Sequence, residues 1–148
     1  MADYYTLLSM RIEVSDEAQL TWLLDAFRAV DDNANDEDGR GALPEEIVAV
    51  ATEQGADLNW GTGVLVSKGP LSLWIRSDES VQVEALATII QSYLRRFDIQ
   101  EGVGFEYAFT CSRPRLDAYG GGACYVTQKG LRWMTTGCWL GEQEESDG

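Results

Sequence analysis

Apolar and polar residues alternate near the start of the chain. Over residues 4–14, every second residue from Leu8 to Val14 is apolar, which predicts a half-buried strand. Ser15-Asp16-Glu17 then supplies a cap and early acidic residues for a helix that continues to about Val30. Apolar residues recur along this helix at intervals of three and four, so one of its faces is predicted to be buried.

The middle of the chain predicts a short helix, two strands and a second long helix. A proline in its first turn begins the short helix over residues 44–54. The strands cover roughly residues 58–67 and 71–77, and Lys68-Gly69-Pro70 between them is typical of a hairpin. Apolar residues at helical spacing then predict the second long helix over residues 80–97.

The last third of the chain predicts three more strands, at about residues 103–110, 123–128 and 131–134. The element order predicts an α+β fold: an antiparallel sheet with two main helices on one face, in split β-α-β (ferredoxin-like) order, plus extra C-terminal strands. Residues 1–141 are expected to form a single α+β domain, and residues 142–148 an acidic disordered tail.

The charge of the chain is strongly acidic and unevenly distributed. The 148 residues include 25 acids, 11 bases and no histidine, which gives a formal net charge of −14. Residues 1–94 hold 17 acids and 5 bases, a net charge of −12, whereas residues 95–141 hold 4 acids and 6 bases, a net charge of +2. An acidic surface repels nucleic acids and anionic membranes and attracts basic proteins. The same charge would also suit a halotolerant protein that needs it only for solubility.

Composition excludes several reaction chemistries. Without histidine the chain has no Ser-His or Cys-His nucleophile pair and no imidazole metal ligand. Cys111, Cys124 and Cys138 are spaced 13 and 14 residues apart, unlike zinc ligands or a disulfide framework, so reduced thiols are expected. The sequence therefore predicts a non-enzymatic protein with no metal and no cofactor. An enzyme that uses carboxylates or Cys111 is the minor alternative.

The start of the chain lacks the basic and apolar regions of a signal peptide. No run of residues approaches the ~18 apolar residues of a membrane span. The sequence therefore predicts a protein of the host cell cytoplasm with no membrane partner.

Tryptophan is unusually frequent for this length, with five residues: Trp22, Trp60, Trp74, Trp133 and Trp139. Because tryptophan is enriched at binding hot spots, an exposed interface patch is one interpretation. Large residues that close the edges of the core are the other. The apolar strands and the tryptophans would also suit a homodimer.

The densest acidic stretch lies between the first two predicted helices. Residues 31–41, DDNANDEDGRG, contain no apolar residue except Ala34, so a solvated loop is expected. Counted from Asp31, the sixth and twelfth residues are Asp36 and Ala42, where a calcium-binding loop needs glycine and glutamate. A calcium site is therefore not expected. Because residues 31–38 are the densest point of the acidic residues 1–94, their acids are assigned to partner binding. The predicted partner-binding residues are Asp31, Asp32, Asp36, Glu37, Asp38, Glu45 and Glu46.

The segment 111–122, CSRPRLDAYGGG, offers a different chemistry. Consecutive glycines permit close approach to backbone amides, and two arginines beside them could hold an anion. The alternative is a structural connection in which an arginine pairs with Asp117 or Glu106. The candidate anion- or ligand-binding residues are Arg113, Arg115, Asp117, Tyr119, Gly120, Gly121 and Gly122.

Both ends of the chain resemble a known group of proteins. The opening MADYYTLLS, the stretches SYLRRFD and VGFEYAFTCSRPRLDAYGGGACYVT, and Trp133-Met134-Thr135-Thr136 are similar to small acidic proteins carried by phages, plasmids and integrative elements. The resemblance implies an accessory gene of a mobile element, a setting in which small acidic proteins often inhibit host defence, as anti-restriction and anti-CRISPR proteins do. It implies no catalytic residue.

The leading hypothesis is a binding protein that uses its acidic surface to inhibit a basic, nucleic-acid-binding host protein, without touching nucleic acid itself. The alternative is a regulatory domain that binds a small ligand or an anion at residues 113–122.

Overall fold

The computed structural model describes residues 4–34, 43–113, 115–116 and 119–147. Its helices and strands, in chain order, are β1 (Tyr4–Leu7), β2 (Ser9–Glu13), α1 (Glu17–Ala34), α2 (Glu45–Gln54), β3 (Val64–Gly69), β4 (Ser72–Ser77), α3 (Val83–Arg96), β5 (Val103–Cys111), β6 (Gly120–Thr127), β7 (Gly130–Thr135) and α4 (Thr136–Asp147). The predicted mixed α+β fold with antiparallel sheets is confirmed.

The strands form two antiparallel sheets rather than the single predicted one. One sheet has the order β1-β5-β6-β7 and the other the order β2-β4-β3. The strand predicted over residues 4–14 is divided at Leu8 because this residue bonds to the end of β4: its N–H donates to Ser77 Oγ at 3.2 Å, and its carbonyl accepts from Ser77 N–H at 2.9 Å. The split (ferredoxin-like) order expected for a single sheet is not confirmed.

The core is built around α3. Every residue from Ala85 to Leu94 is buried, because α1 and α2 pack on this helix from one side and β6 from the other. Leu20 and Leu23 of α1 are completely buried against it, as is Ile47 of α2. Each such side chain stabilises the fold by about 1.5–3 kcal/mol.

The polar side chains inside this core are all satisfied. Gln91 is completely buried; its Nε2 donates to Thr127 O at 2.9 Å, and its Oε1 accepts from Gln54 Nε2 at 2.9 Å. Thr88, equally buried, donates instead to Glu84 O within its own helix. Among the described residues no buried side-chain nitrogen or oxygen lacks a partner.

Several element boundaries differ from the prediction. Helix α1 continues to Ala34, so the first residues of the predicted acidic loop are helical, and β3 begins at Val64 rather than near Leu58. Residues 142–147, expected to form a disordered tail, belong to α4, although none of the residues of α4 is buried.

We expect the fold to lose stability at alkaline pH. Burial raises the pKa of the Cys124 thiol from 9.0 to about 11, and burial followed by the charge of Asp16 raises the pKa of the Tyr93 hydroxyl from 10.0 to about 12. Because folding favours the protonated forms, their contribution is complete below pH 9 and is lost as the pH rises through 9 to 12. The free energy of unfolding in urea should fall by about 1–2 kcal/mol between pH 8.5 and 10.5.

The control for this loss is Cys124→Ala, which should flatten the early part of the decline. A free energy of unfolding that stays constant from pH 8.5 to 10.5 in the unmodified protein would contradict the prediction.

Candidate functional site

Two of the acids predicted to bind a partner make contacts within the fold. Asp31 lies at the end of α1, where its Oδ1 accepts from Thr62 N–H at 2.8 Å and from Thr62 Oγ1 at 2.9 Å. Glu46 accepts from Trp22 Nε1 at 3.1 Å and pairs with Arg96 at 3.5 Å. The contacts of Asp31 join α1 to the segment just before β3. The contacts of Glu46 join α2 to α1 and to α3.

The remaining predicted acids are divided between exposed and undescribed positions. Asp32 on α1 and Glu45 at the start of α2 are exposed. Asp36, Glu37 and Asp38 lie outside the described residues. Among the described residues of the predicted partner-binding set, Asp32 and Glu45 are therefore the two acids that are exposed to solvent.

The segment that follows α2 presents Trp60 to solvent. Asn59 N–H donates to Asp57 Oδ1 at 2.9 Å, so an aspartate-initiated turn forms at residues 57–60. Gly61 continues the chain with φ +73°, a conformation that favours glycine. At this turn Trp60 is 76% exposed, the most exposed of the five tryptophans.

A shallow cavity of about 390 Å³ lies between this turn and the start of α3. Asp57 and Trp60 line one side, and residues 80–85, which include Glu84, line the other. The segment before α3 is fixed by backbone bonds: Asp78 N–H donates to Gly63 O at 3.0 Å, and Gln82 N–H donates to Thr62 O at 2.8 Å. The two sides of the cavity are therefore held together by main-chain contacts.

Carboxylates line the cavity beside Trp60 or adjoin its wall in the sequence. Asp57 and Glu84 line the cavity, Asp78 and Glu79 directly precede its wall, and Asp32 follows the residue that binds Thr62. All five of these acids are exposed. We call this set the Trp60 surface: Asp32, Asp57, Trp60, Asp78, Glu79 and Glu84.

The carboxylates of the Trp60 surface have no basic partner within the described part of the chain. The ion pairs there are Lys68 with Glu17, Arg95 with Glu53, and Arg96 with Glu46. No lysine or arginine is among the described residues that line the cavity. The surface combines an exposed aromatic ring with negative charge that the fold does not neutralise.

The glycines of the candidate ligand segment belong to strand β6 rather than to an exposed loop. Gly120 pairs with Phe109, Gly121 with Ala108 and Gly122 with Tyr107. Gly121 N–H is engaged, since it donates to Thr136 Oγ1 at 3.1 Å. A side chain at Gly122 would collide with the Tyr107 ring, so close packing across the strands explains this glycine.

The polar members of the same segment are not gathered into a site. Arg113, Arg115 and Tyr119 are exposed, and Asp117 lies outside the described residues. The Arg115 N–H donates to the main-chain carbonyl oxygen of Arg113 at 2.8 Å. A cavity of about 450 Å³ is lined by the three glycines together with Glu106 and Thr136, but neither Arg113 nor Arg115 lines it. The described part of this segment therefore does not bring the arginines and the glycines together in one pocket.

The described ranges hold neither a cluster of metal ligands nor a membrane-spanning helix. No group of three or more cysteine, aspartate or glutamate side chains there could hold a metal ion. No helix in those ranges has the length and apolar character to cross a bilayer. Cys111 is half-buried, Cys124 buried and Cys138 exposed, and all three are free thiols.

Comparison of the chain with protein-family models, with curated proteins and with solved structures gave no match.

Proposed function

We propose that the protein is a non-enzymatic binding protein whose Trp60 surface engages a basic, nucleic-acid-binding partner. The observation that carries the proposal is the 76% exposed Trp60 ring beside Asp57 and Glu84, two exposed carboxylates that enter none of the ion pairs of the described residues. A large exposed indole supplies contact area for an interface, and tryptophan is among the residues that most often dominate binding energy.

The surrounding acids would provide attraction and selectivity. Because no described ion pair uses them, lysine or arginine side chains of a partner can pair with these acids without breaking an internal ion pair. The formal net charge of −14 adds a long-range attraction for basic proteins and repels nucleic acid itself. Proteins that bind phosphates with clustered lysines and arginines are the partner class that fits this charge.

The proposed target is a host defence protein whose basic nucleic-acid groove is occupied by these carboxylates. The support for this choice is the charge of the surface, together with the mobile-element setting that the sequence resemblance implies. Asp32, the one exposed predicted acid near Trp60, belongs to this surface, and Glu45 at the start of α2 adds a further exposed carboxylate.

Trp60→Ala should weaken partner binding about 30-fold, the effect of losing a hot-spot side chain of about 2 kcal/mol. The matched control is Trp74→Ala, which removes a tryptophan that is 45% exposed on β4 and bonded to Ser9 Oγ at 2.9 Å. Immobilised protein and both variants would be incubated with host lysate, and the bound proteins quantified by mass spectrometry. The captured nucleic-acid-binding protein would then be purified for affinity measurement.

Charge is tested separately from the ring. Asp57→Asn with Glu84→Gln should lower the affinity and reduce its salt dependence, because fewer ions are displaced on binding. Glu142→Gln with Glu144→Gln on α4 makes the same charge change elsewhere and should have little effect. Raising the salt concentration from about 0.15 to 0.5 M shortens the Debye length from about 8 Å to roughly half of that. An affinity that does not change over this range would contradict the proposal. Equal capture by Trp60→Ala and the unmodified chain would contradict it as well.

We also propose that the two sheets derive from the split β-α-β order expected from the sequence. The support is that β1 and β2 are separated only by Leu8. If they are taken as one continuous strand, the strand order is β3, β4, β2 with β1, and then β5. On this interpretation β6 and β7 are the extra C-terminal strands.

A further inference from the structure

The outward side of the two sheets continues from one sheet into the other. Leu8, between β1 and β2, is buried, whereas Leu7 before it and Ser9 after it are exposed. The alternation of inward and outward side chains is therefore unbroken along residues 4–13. The core lies on the inward side, which carries Leu8 and Ile12. We call the side that carries Leu7 and Ser9 the outer face.

Large apolar side chains are exposed on both halves of the outer face. Because paired residues of neighbouring strands lie on the same side of a sheet, the pairing assigns Leu65, Trp74, Tyr125 and Met134 to this face together with Leu7. Each of them is between 40% and 48% exposed. An apolar surface that extends over several strands is typical of an interface with another protein.

A groove of about 840 Å³ lies over the strands β5, β6 and β7 on this face. Ser9 borders the groove from β2, so both sheets contribute to it. The groove is lined by apolar atoms of Tyr125 and Met134 and by two charges of opposite sign, Glu106 and Arg132. The lining therefore favours an occupant that is partly apolar and carries charges of both signs.

The outer face is close to neutral although the chain is strongly acidic. Its three arginines and two glutamates give a net charge of +1, against −14 for the whole chain; they are Arg11, Glu13, Arg76, Glu106 and Arg132. Two copies of the chain repel each other through their acidic surfaces, and this repulsion is weakest where two outer faces meet. A face that carries both signs can also be complementary to itself across a two-fold axis.

We infer that the outer face is the interface of a homodimer, in which the sheets of two copies pack face to face about a two-fold axis parallel to the strands. Each residue of a sheet covers about 16 Å² (about 3.3 Å along the strand and about 4.8 Å across it), so the roughly forty residues of the seven strands span about 650 Å². Interfaces of standard size bury about 600–1,000 Å² on each partner. The outer face is therefore large enough for a stable dimer.

The charges decide the direction of the axis. With β1 and β2 as one strand, an axis parallel to the strands places β4 over β6 of the second copy and β2 over its β5. Trp74 then lies over the strand that carries Tyr125, and Arg11 over the strand that carries Glu106. An axis across the strands would place each strand over itself and bring Arg11 and Arg76 close to the same two residues of the second copy. Repulsion between the arginines disfavours that arrangement.

The three exposed charges that this arrangement uses are available for it. Arg11, Glu106 and Arg132 enter none of the ion pairs of the described residues. Pairing across the dimer therefore breaks no ion pair within one copy.

Sedimentation velocity of the full chain should show a dimer of twice 16.4 kDa at about 10 µM protein, because interfaces of standard size have dissociation constants of micromolar or below. Trp74→Ala and Met134→Glu should each raise the dissociation constant at least about tenfold. Circular dichroism of both variants checks that they remain folded. Trp60→Ala is the matched control, since Trp60 lies outside the strands and should leave the dimer intact.

The direction of the axis is tested by mixing two charge variants. Arg11→Glu and Glu106→Arg each set like charges against each other twice in their own dimers, so each should be monomeric where the unmodified chain is dimeric. Mixed in equal amounts, the two variants should form a heterodimer, because both pairs then have opposite charges. A change of stability within one chain cannot produce this rescue.

The outcomes separate the dimer from the proposed partner binding. Trp60→Ala should lose the partner and keep the dimer, whereas Trp74→Ala should lose the dimer and keep its affinity for the partner. The inference is overturned if the chain is still monomeric at about 100 µM, well above a micromolar dissociation constant. It is also overturned if Trp74→Ala and Met134→Glu both leave the dimer intact, or if the two charge variants remain monomeric when mixed.

Discussion

Gly63→Ala should lower the free energy of unfolding by about 3–4 kcal/mol, whereas Gly55→Ala should lower it by only about 1–2 kcal/mol. The two glycines have nearly the same backbone conformation, with φ +69° at Gly63 and φ +68° at Gly55. The left-handed conformation costs an alanine about 1–2 kcal/mol at either position. What differs is the space around the added methyl group.

The surroundings of Gly63 are main-chain atoms that cannot yield. A Cβ there would collide with the carbonyl oxygen of Ser80 and would lie 3.0 Å from its carbonyl carbon and 3.2 Å from Val81 Cα. The bond from Asp78 N–H to Gly63 O holds the two segments together, so the strain adds about 1–3 kcal/mol of overpacking. At Gly55 no atom lies within 4 Å of the added Cβ.

Urea unfolding of the two variants beside the unmodified chain measures the difference. Equal losses at both positions would show that the contact with Ser80 does not constrain the fold. The result also bears on function, because the segment that Gly63 fixes carries Asp78, Glu79 and Glu84 of the Trp60 surface. Gly63→Ala should therefore weaken partner binding as well as stability.

The sequence predicted the long helices because their apolar spacing is a local property. Helix α3 was placed over residues 80–97 and lies at Val83–Arg96. The predicted hairpin is formed by β3 and β4, with Lys68 and Gly69 paired at the end of β3 and Pro70 and Leu71 at the turn. The division of the first strand could not be predicted. Alternation over residues 4–14 shows which side chains share a face, but the change of partner at Leu8 depends on Ser77, a residue far along the chain.

The acids of the proposed Trp60 surface are mostly different from the acids predicted from the sequence. The acidic stretch 31–38 was chosen because its charge is dense in sequence, whereas the Trp60 surface brings together Asp57, Glu84 and the end of α1 through contacts between distant segments. One local signal for this surface was present in the sequence. Aspartate often begins a turn, and Asp57 lies three residues before Trp60. Asp31 illustrates the limit, because its bonds to Thr62 are invisible in the sequence.

Consecutive glycines gave an ambiguous signal for the same reason. At Gly120-Gly121-Gly122 the pattern indicates backbone that another group approaches closely, and an anion was one such group. In the structure the neighbours are β5 and the ring of Tyr107. The chemistry of a glycine run depends on what lies opposite it, which only the strand register supplies.

Gln91→Met should lower the free energy of unfolding by about 2–3 kcal/mol, because it removes the polar contacts that connect three elements of the core. Methionine has a similar length and no branch, so the packing of α3 is largely kept. Without the amide, the carbonyl of Thr127 loses a donor and the Gln54 amide loses an acceptor. Each unpaired group costs about 1–3 kcal/mol when it stays shielded from water, and the added apolar surface offsets part of the loss.

Thr88→Val is the matched control for this change. Thr88 is as completely buried as Gln91 and lies on the same helix, but its hydroxyl donates to Glu84 O one turn earlier, an oxygen that also belongs to the helix. Its replacement should therefore cost less than about 1 kcal/mol. The measurement is urea unfolding of both variants, with hydrogen exchange of residues 45–54. Because Gln54 anchors α2 through Gln91, exchange in α2 should accelerate in Gln91→Met only. If both variants lose the same stability and α2 exchanges equally in each, burial alone governs the core, and the contact between Gln54 and Gln91 does not hold α2 on α3.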